Sequence, residues 1–109
     1  MNEVQATLTT LLERVATIRE RLEIATKAEK VAELDAQSSD PSFWNDQQAA
    51  QKTMQELSLL RGEVDSWDAF TRRIEDAIEL AEMAAEEPEM LADLASEADT
   101  LEKELGERE

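Results

Sequence analysis

The side chains that could do chemistry in this sequence are mostly carboxylates. The chain has 27 acidic and 11 basic residues among 109, and it contains no histidine and no cysteine. The absence of histidine removes the usual general base and the commonest transition-metal ligand, and the absence of cysteine removes disulfides and thiolate metal sites. We therefore expect no catalytic residues, no metal site and no cofactor, and we predict that the chain is not an enzyme.

The densest acidic cluster is Glu86, Glu87, Glu89 and Asp93. Such a cluster could attract Ca²⁺ or Mg²⁺, but it lacks the ligand spacing and the glycine turn of an EF-hand loop. Pro88 lies within it, and proline followed by acidic residues is typical of the first turn of a helix. A solvated helix start is the better interpretation.

The basic residues form no groove-like pattern, and Arg72-Arg73 is their one adjacent pair. On a helix we expect this pair to form ion pairs with Asp68 and Asp76 at i,i+4 spacing. No glycine-rich phosphate loop and no Ser-x-x-Lys motif occurs.

The net charge of −16 is unevenly spread along the chain. Residues 1–37 carry 5 basic and 7 acidic side chains (−2), residues 38–84 carry 4 and 10 (−6), and residues 85–109 carry 2 and 10 (−8). This field repels phosphate backbones, so we expect partners to be proteins with neutral or basic surfaces and expect no direct nucleic-acid groove. The alternative is that the acids only keep a helical surface soluble. No apolar run could span a membrane and no signal sequence is present, which predicts a cytoplasmic location without membrane contact.

Residues 38–45 are the one place between two long helical patterns where a helix must stop. Proline disfavours helical dihedrals at the residue before it, so Asp40-Pro41 enforces the break, and Asp40 can cap a short turn. Asn45 is the predicted cap of the next helix, with Gln48 three residues later completing a capping box. Phe43 and Trp44 are predicted to be partly buried, with Trp44 packed near Ala49. Asp40, Pro41, Phe43, Trp44 and Asn45 form the candidate structural turn motif.

Apolar residues recur at alternating spacings of three and four on both sides of this turn. These spacings predict helices over about 3–37, 46–85 and 89–105. Asn2 and Gln5 form a capping box at the start, and Gly106 is a candidate C-cap at the end. The apolar stripe moves sideways after Ala25, which indicates a changed partner face or a stutter. The second helix contains Gly62, which would allow either close approach of another helix or a mild bend, and Trp67, which is predicted to be a core residue.

Connections this short make neighbouring helices antiparallel. The predicted fold is all-α: a single domain, 1–109, in which two long helices form an elongated antiparallel hairpin and a third, shorter helix packs along part of it. We also expect that a homodimer could form where no other helix of the chain covers the apolar ends of the long helices.

The turn resembles a motif of bacterial peptide chain release factor 2. Its pattern, D-P-x-F-W-x-D followed by A-Q-K, corresponds here to Asp40–Asp46 and Ala50–Lys52. Lys30–Leu34 and Leu80–Ala84 are similar to the family's segments before the turn and at the end of the second helix. The resemblance covers the whole chain and implies the N-terminal helical domain of this family.

That resemblance implies a role in translation termination at UGA and UAA stop codons, in a complete factor that contacts the stalk base of the large ribosomal subunit. The family's Gly-Gly-Gln and Ser-Pro-Phe tripeptides are absent from this sequence, so we expect the chain alone to be inactive. The competing hypothesis is an antiparallel coiled-coil spacer or a prefoldin-like interaction module. The adjacent aromatic residues favour the release factor interpretation, because a spacer has no evident use for them.

Overall fold

A computed structural model describes all residues, 1–109, and it is entirely helical. In chain order the elements are α1 (Glu3–Arg21), α2 (Ile24–Ser38), a 3-10 helix (Pro41–Asn45), α3 (Gln47–Met83) and α4 (Pro88–Arg108). The all-α prediction is confirmed. No helix is both long enough and apolar enough to cross a membrane.

The start of α1 is stabilised by a side-chain cap. Asn2 Oδ1 accepts a hydrogen bond from the Gln5 backbone N–H at 2.8 Å, and Gln5 Oε1 accepts one from the Asn2 N–H at 3.0 Å. This reciprocal pair satisfies two backbone donors at the start of α1, so the predicted capping box is confirmed.

The chain divides into two compact units, residues 1–18 with 69–109, and residues 19–68. In the first unit, α1, the end of α3 and α4 form a three-helix arrangement. The Asn2 side-chain amide donates to the Ala81 carbonyl at 3.0 Å, and Arg73 lies over α4, where it contacts Glu97 and Glu104. The apolar core of this unit consists of Leu8, Leu11, Val15, Phe70, Ile74, Ala77, Ala81, Ala84, Leu94, Ala98, Leu101 and Leu105.

The second unit is a helical hairpin in which α2 pairs with the first part of α3. Three ion pairs join α3 to the helices before it: Arg19 of α1 pairs with Asp68 at 2.7 Å, and Lys27 and Asp35 of α2 pair with Glu63 at 2.8 Å and Arg61 at 3.1 Å. From one pair to the next the residue number rises in the earlier helices and falls in α3, so the helices are antiparallel, as expected of a short connection. The buried side chains here are Ile24, Leu34, Ala50, Leu57, Val64 and Trp67.

The predicted single helix over 3–37 is divided in the structure. Glu23 adopts a left-handed conformation with φ of 57° and ψ of 42°, and the chain restarts as α2 at Ile24. A non-glycine residue pays about 1–2 kcal/mol there. The break buries Ile24 to 1 % exposure and leaves Leu22 at 37 %, so burial of an isoleucine side chain, worth about 1.5–3 kcal/mol, offsets that cost. The sideways step of the apolar stripe was therefore a helix break.

The ends of the later helices also differ from the expected positions. α3 ends at Met83 instead of about residue 85, and α4 begins at Pro88 and continues to Arg108, beyond Gly106. Gly106 has no positive φ and is not a C-cap. The last turn is held in helical form because Leu105 is fully buried and the Arg108 guanidinium stacks 4.5 Å from the centre of the Phe70 ring.

Candidate interaction surface

The candidate site is the turn between α2 and α3, and its first half is organised by Asp40. One carboxylate oxygen, Oδ1, accepts hydrogen bonds from the Ser42 backbone N–H at 3.0 Å and from the Ser42 hydroxyl at 2.8 Å. These bonds lower the pKa of Asp40, because they stabilise its ionised form. Pro41 follows as the first residue of the 3-10 helix, where its missing N–H costs nothing. The Asp40 side chain and the Pro41 ring together fix the backbone conformation of the turn.

The cap of α3 is Asp46 and not the predicted Asn45. Asp46 Oδ1 accepts a hydrogen bond from the Ala49 N–H at 3.1 Å, and the Asp46 carbonyl accepts one from the Ala50 N–H at 2.9 Å. Asn45 is the last residue of the 3-10 helix and cannot also take the extended N-cap conformation. The carboxylate of Asp46 is moreover favoured at the positive end of α3. The predicted cap is therefore wrong by one residue.

The two aromatic residues of the turn pack against each other. The Phe43 and Trp44 ring centres lie 5.0 Å apart with an interplanar angle of 82°, an edge-to-face arrangement. Phe43 is half-buried, whereas Trp44 remains 51 % exposed. The Trp44 indole N–H donates to the Ser38 carbonyl at the end of α2, at 3.1 Å. Ser38 and Phe43 therefore hold the ring, rather than the predicted Ala49, which is itself exposed.

The other candidate groups do not assemble into a reactive site. Nowhere in the chain do three or more acidic residues converge in a way that could hold a metal ion, and the cluster around Glu86 stays at the exposed start of α4. Arg73 contacts Glu104 at 2.8 Å and Glu97 at 3.3 Å on α4, and not an acidic residue of its own helix. The Arg73 hydrogen bond lowers the pKa of Glu104, and Glu104 raises that of Arg73. This is a structural ion-pair network.

Asp68, the other predicted partner of the arginine pair, contacts Arg19 instead. The Arg19 guanidinium donates to Asp68 Oδ1 at 2.7 Å and to the Trp67 carbonyl at 3.2 Å. The contact between α1 and α3 includes the hydrogen bond from Arg19 to the Trp67 carbonyl, which an ion pair within one helix would lack. Trp67 itself is 5 % exposed, which confirms the prediction that it is a core residue.

Comparison with known proteins identifies the family. The model of the PCRF domain matches residues 27–109, which include the whole turn and both helices after it. The chain belongs to the PCRF domain family. Similar proteins include peptide chain release factor 2 of Chloroflexus aggregans, 36 % identical over 109 residues, and that of Corynebacterium glutamicum, 38 % identical over 109 residues. Release factor 2 of Burkholderia cenocepacia is 34 % identical over 111 residues.

These alignments cover nearly all of the chain but a minor part of each relative. They include 98 % of the chain and 30 % of the Chloroflexus protein, 94 % and 28 % for the Corynebacterium protein, and 100 % and 30 % for the Burkholderia protein. The chain thus spans about 30 % of the length of the relatives it matches. The resemblance to release factor 2 seen in the turn motif is confirmed, and a role in translation termination fits both the PCRF match and these relatives.

Proposed function

We propose that this chain acts in translation termination as the helical arm of a peptide chain release factor 2. In the complete factor, which terminates at UGA and UAA, the arm contacts protein of the stalk base on the large ribosomal subunit. Codon reading and ester hydrolysis belong to other parts of that factor. The observation that carries this proposal is the similarity to release factor 2 along 98 % of the chain. Because such a factor works on ribosomes, a cytoplasmic location is part of the same proposal.

The charge distribution supports a protein partner over a nucleic-acid backbone. At least six of the basic side chains form ion pairs with carboxylates of the same chain; they are Arg14, Arg19, Lys27, Lys30, Arg61 and Arg73. These internal pairs leave a surface on which unpaired acids dominate, given a net charge of −16. A partner with basic side chains would gain from this field, whereas phosphates would be repelled.

The three groups with shifted pKa values are explained by structural contacts. Functional acids and bases are commonly marked by perturbed pKa values within a cleft. The pKa of Asp40 is lowered by hydrogen bonds that build the turn, and those of Glu104 and Arg73 are shifted by their mutual ion pair. Each shift has a partner that stabilises local structure, and none marks a group prepared for proton transfer.

The test is sedimentation of the labelled chain with purified bacterial large ribosomal subunits. We expect it to pellet with complete subunits and to be displaced by excess intact release factor 2. Subunits depleted of stalk-base protein are the matched control and should bind less. We also expect no release of peptide from peptidyl-tRNA by the chain alone. Equal binding to complete and depleted subunits would contradict the stalk-base contact, and peptide release would contradict the non-catalytic role.

A homodimer of the chain stays a prediction. Sedimentation equilibrium at concentrations from micromolar to near-millimolar would test it, because a concentration-dependent mass is required of a reversible dimer. A constant monomer mass over that range would contradict it.

A further inference from the structure

Trp44 is the one exposed aromatic side chain of the protein. It is 51 % exposed, whereas the other tryptophan, Trp67, is 5 % exposed. Its one polar atom, the indole nitrogen, already donates to the Ser38 carbonyl at 3.1 Å. Hydration of the N–H therefore does not explain the exposure, and the surface presented to solvent is the apolar, electron-rich part of the ring.

This ring is held in place before any partner arrives. The Ser38 hydrogen bond fixes one edge, and the perpendicular Phe43 ring lies 5.0 Å away between centres. The backbone beneath is fixed by the Asp40 cap of the 3-10 helix and by the Asp46 cap of α3. Binding of a partner would thus cost little conformational entropy, and rigid aromatic anchors of this kind are frequent binding hot spots.

The charges around the ring select the class of partner. Asp40 and Asp46 stand at the two ends of the turn, and no basic residue occurs between Lys30 and Lys52. Lys30 itself lies 3.9 Å from Glu33 on its own helix. An electron-rich ring flanked by carboxylates attracts an arginine or lysine side chain, which can stack on the ring while its charge meets the acids. The same carboxylates disfavour stacking of a nucleotide base, since its phosphates would approach them.

We propose that the Trp44 turn, residues 40–46, is a docking contact for an arginine- or lysine-bearing surface of a ribosomal protein. The inference rests on the proposed function and specifies which part of the arm makes the contact. The ring supplies the apolar and cation–π contact, and Asp40 and Asp46 supply charge complementarity.

The test compares binding of three variants to purified bacterial large ribosomal subunits. Trp44→Ala should weaken binding about tenfold or more, as expected of an aromatic hot spot. Trp44→Phe keeps an aromatic face and should show an intermediate loss. The matched control is Leu59→Ala on α3, since Leu59 is 78 % exposed in the same unit and should be neutral. Far-UV circular dichroism melts of all variants separate a binding loss from a folding loss.

A second measurement identifies what the ring touches. With benzoylphenylalanine in place of Trp44, irradiation on the large subunit should cross-link to a ribosomal protein at or beside a basic residue. Cross-linking to ribosomal RNA would overturn the inference, as would Trp44→Ala binding as tightly as the wild-type chain; in both cases the proposed function would stand. If the wild-type chain does not bind the subunit, the proposed function fails and the inference falls with it.

Discussion

Replacing Gly62 by alanine should stabilise the protein. Gly62 lies within α3, far from both ends of that helix, and is exposed to solvent. A Cβ atom built at this position has no neighbouring heavy atom within 4 Å, so the added methyl group would enter open space. The close helix approach that a glycine could have permitted is therefore not the reason for its presence.

The magnitude follows from helix propensity alone. Glycine in a helix interior is about 0.8–1.0 kcal/mol less favourable than alanine, because it loses more backbone freedom on folding. With no steric cost to subtract, the free energy of unfolding of Gly62→Ala should rise by nearly that amount. For a domain of about 100 residues this corresponds to a melting temperature about 4 °C higher.

Urea denaturation followed by circular dichroism at 222 nm measures this change directly. Gly106→Ala is the matched control, since a Cβ there also meets nothing within 4 Å. Gly106 lies in the last turn of α4, where the carbonyl groups lack intrahelical partners and less helix depends on its conformation, so its gain should be clearly smaller. An unchanged or lowered free energy of unfolding for Gly62→Ala would refute the reasoning, because it would mean that α3 needs the flexibility of glycine at this point.

Three further experiments test the helix ends and the ion pairs. Glu23→Gly should raise the unfolding free energy by roughly 0.5–1 kcal/mol by relieving the left-handed conformation, whereas Glu23→Ala should not; urea melts that rank both variants equally would contradict this. Asp46→Ala should cost about 1 kcal/mol and Asn45→Ala much less in the same assay, and the reverse order would restore Asn45 as the cap. Glu104→Gln should cost at most about 0.5–1 kcal/mol, since its pair with Arg73 is partly exposed to solvent. Because the pKa of Glu104 is lowered in the folded state, this contribution is present above the ordinary glutamate pKa of about 4.3 and is lost as the pH falls through the lowered value. The difference between wild type and Glu104→Gln should therefore shrink in acid, and a constant difference would count against the ion pair.

Features that depend on local chemistry could be predicted from the sequence. The capping box of Asn2 and Gln5 needs two side chains at a fixed spacing, and the structure contains both hydrogen bonds. The break at Asp40-Pro41 follows from the fixed backbone of proline, and the 3-10 helix begins there. The burial of Trp67 follows from helical periodicity.

Features that depend on tertiary packing could not be predicted in this way. Position 23 holds a glutamate, not one of the residues that commonly mark a helix break, such as glycine, proline or asparagine. Its left-handed conformation is explained only by the burial of the next residue, Ile24. The partners of Arg73 were expected on its own helix, yet they lie on α4, where two carboxylates come within 3.3 Å. A pattern read along one helix contains no information about which charges a neighbouring helix presents.

The same distinction applies to the candidate site, whose residues were visible in the sequence but whose accessibility was not. The sequence predicted a partly buried Trp44 packed near Ala49, whereas in the structure the indole N–H donates to the Ser38 carbonyl and the residue is 51 % exposed. The unit that carries this turn buries six apolar side chains, against twelve in the other unit. A small core contributes less stabilisation, so the Asp40 and Asp46 caps take a larger share in fixing the turn. The proposed docking of a basic partner would account for local hydrogen bonds that order an exposed ring on a modest core.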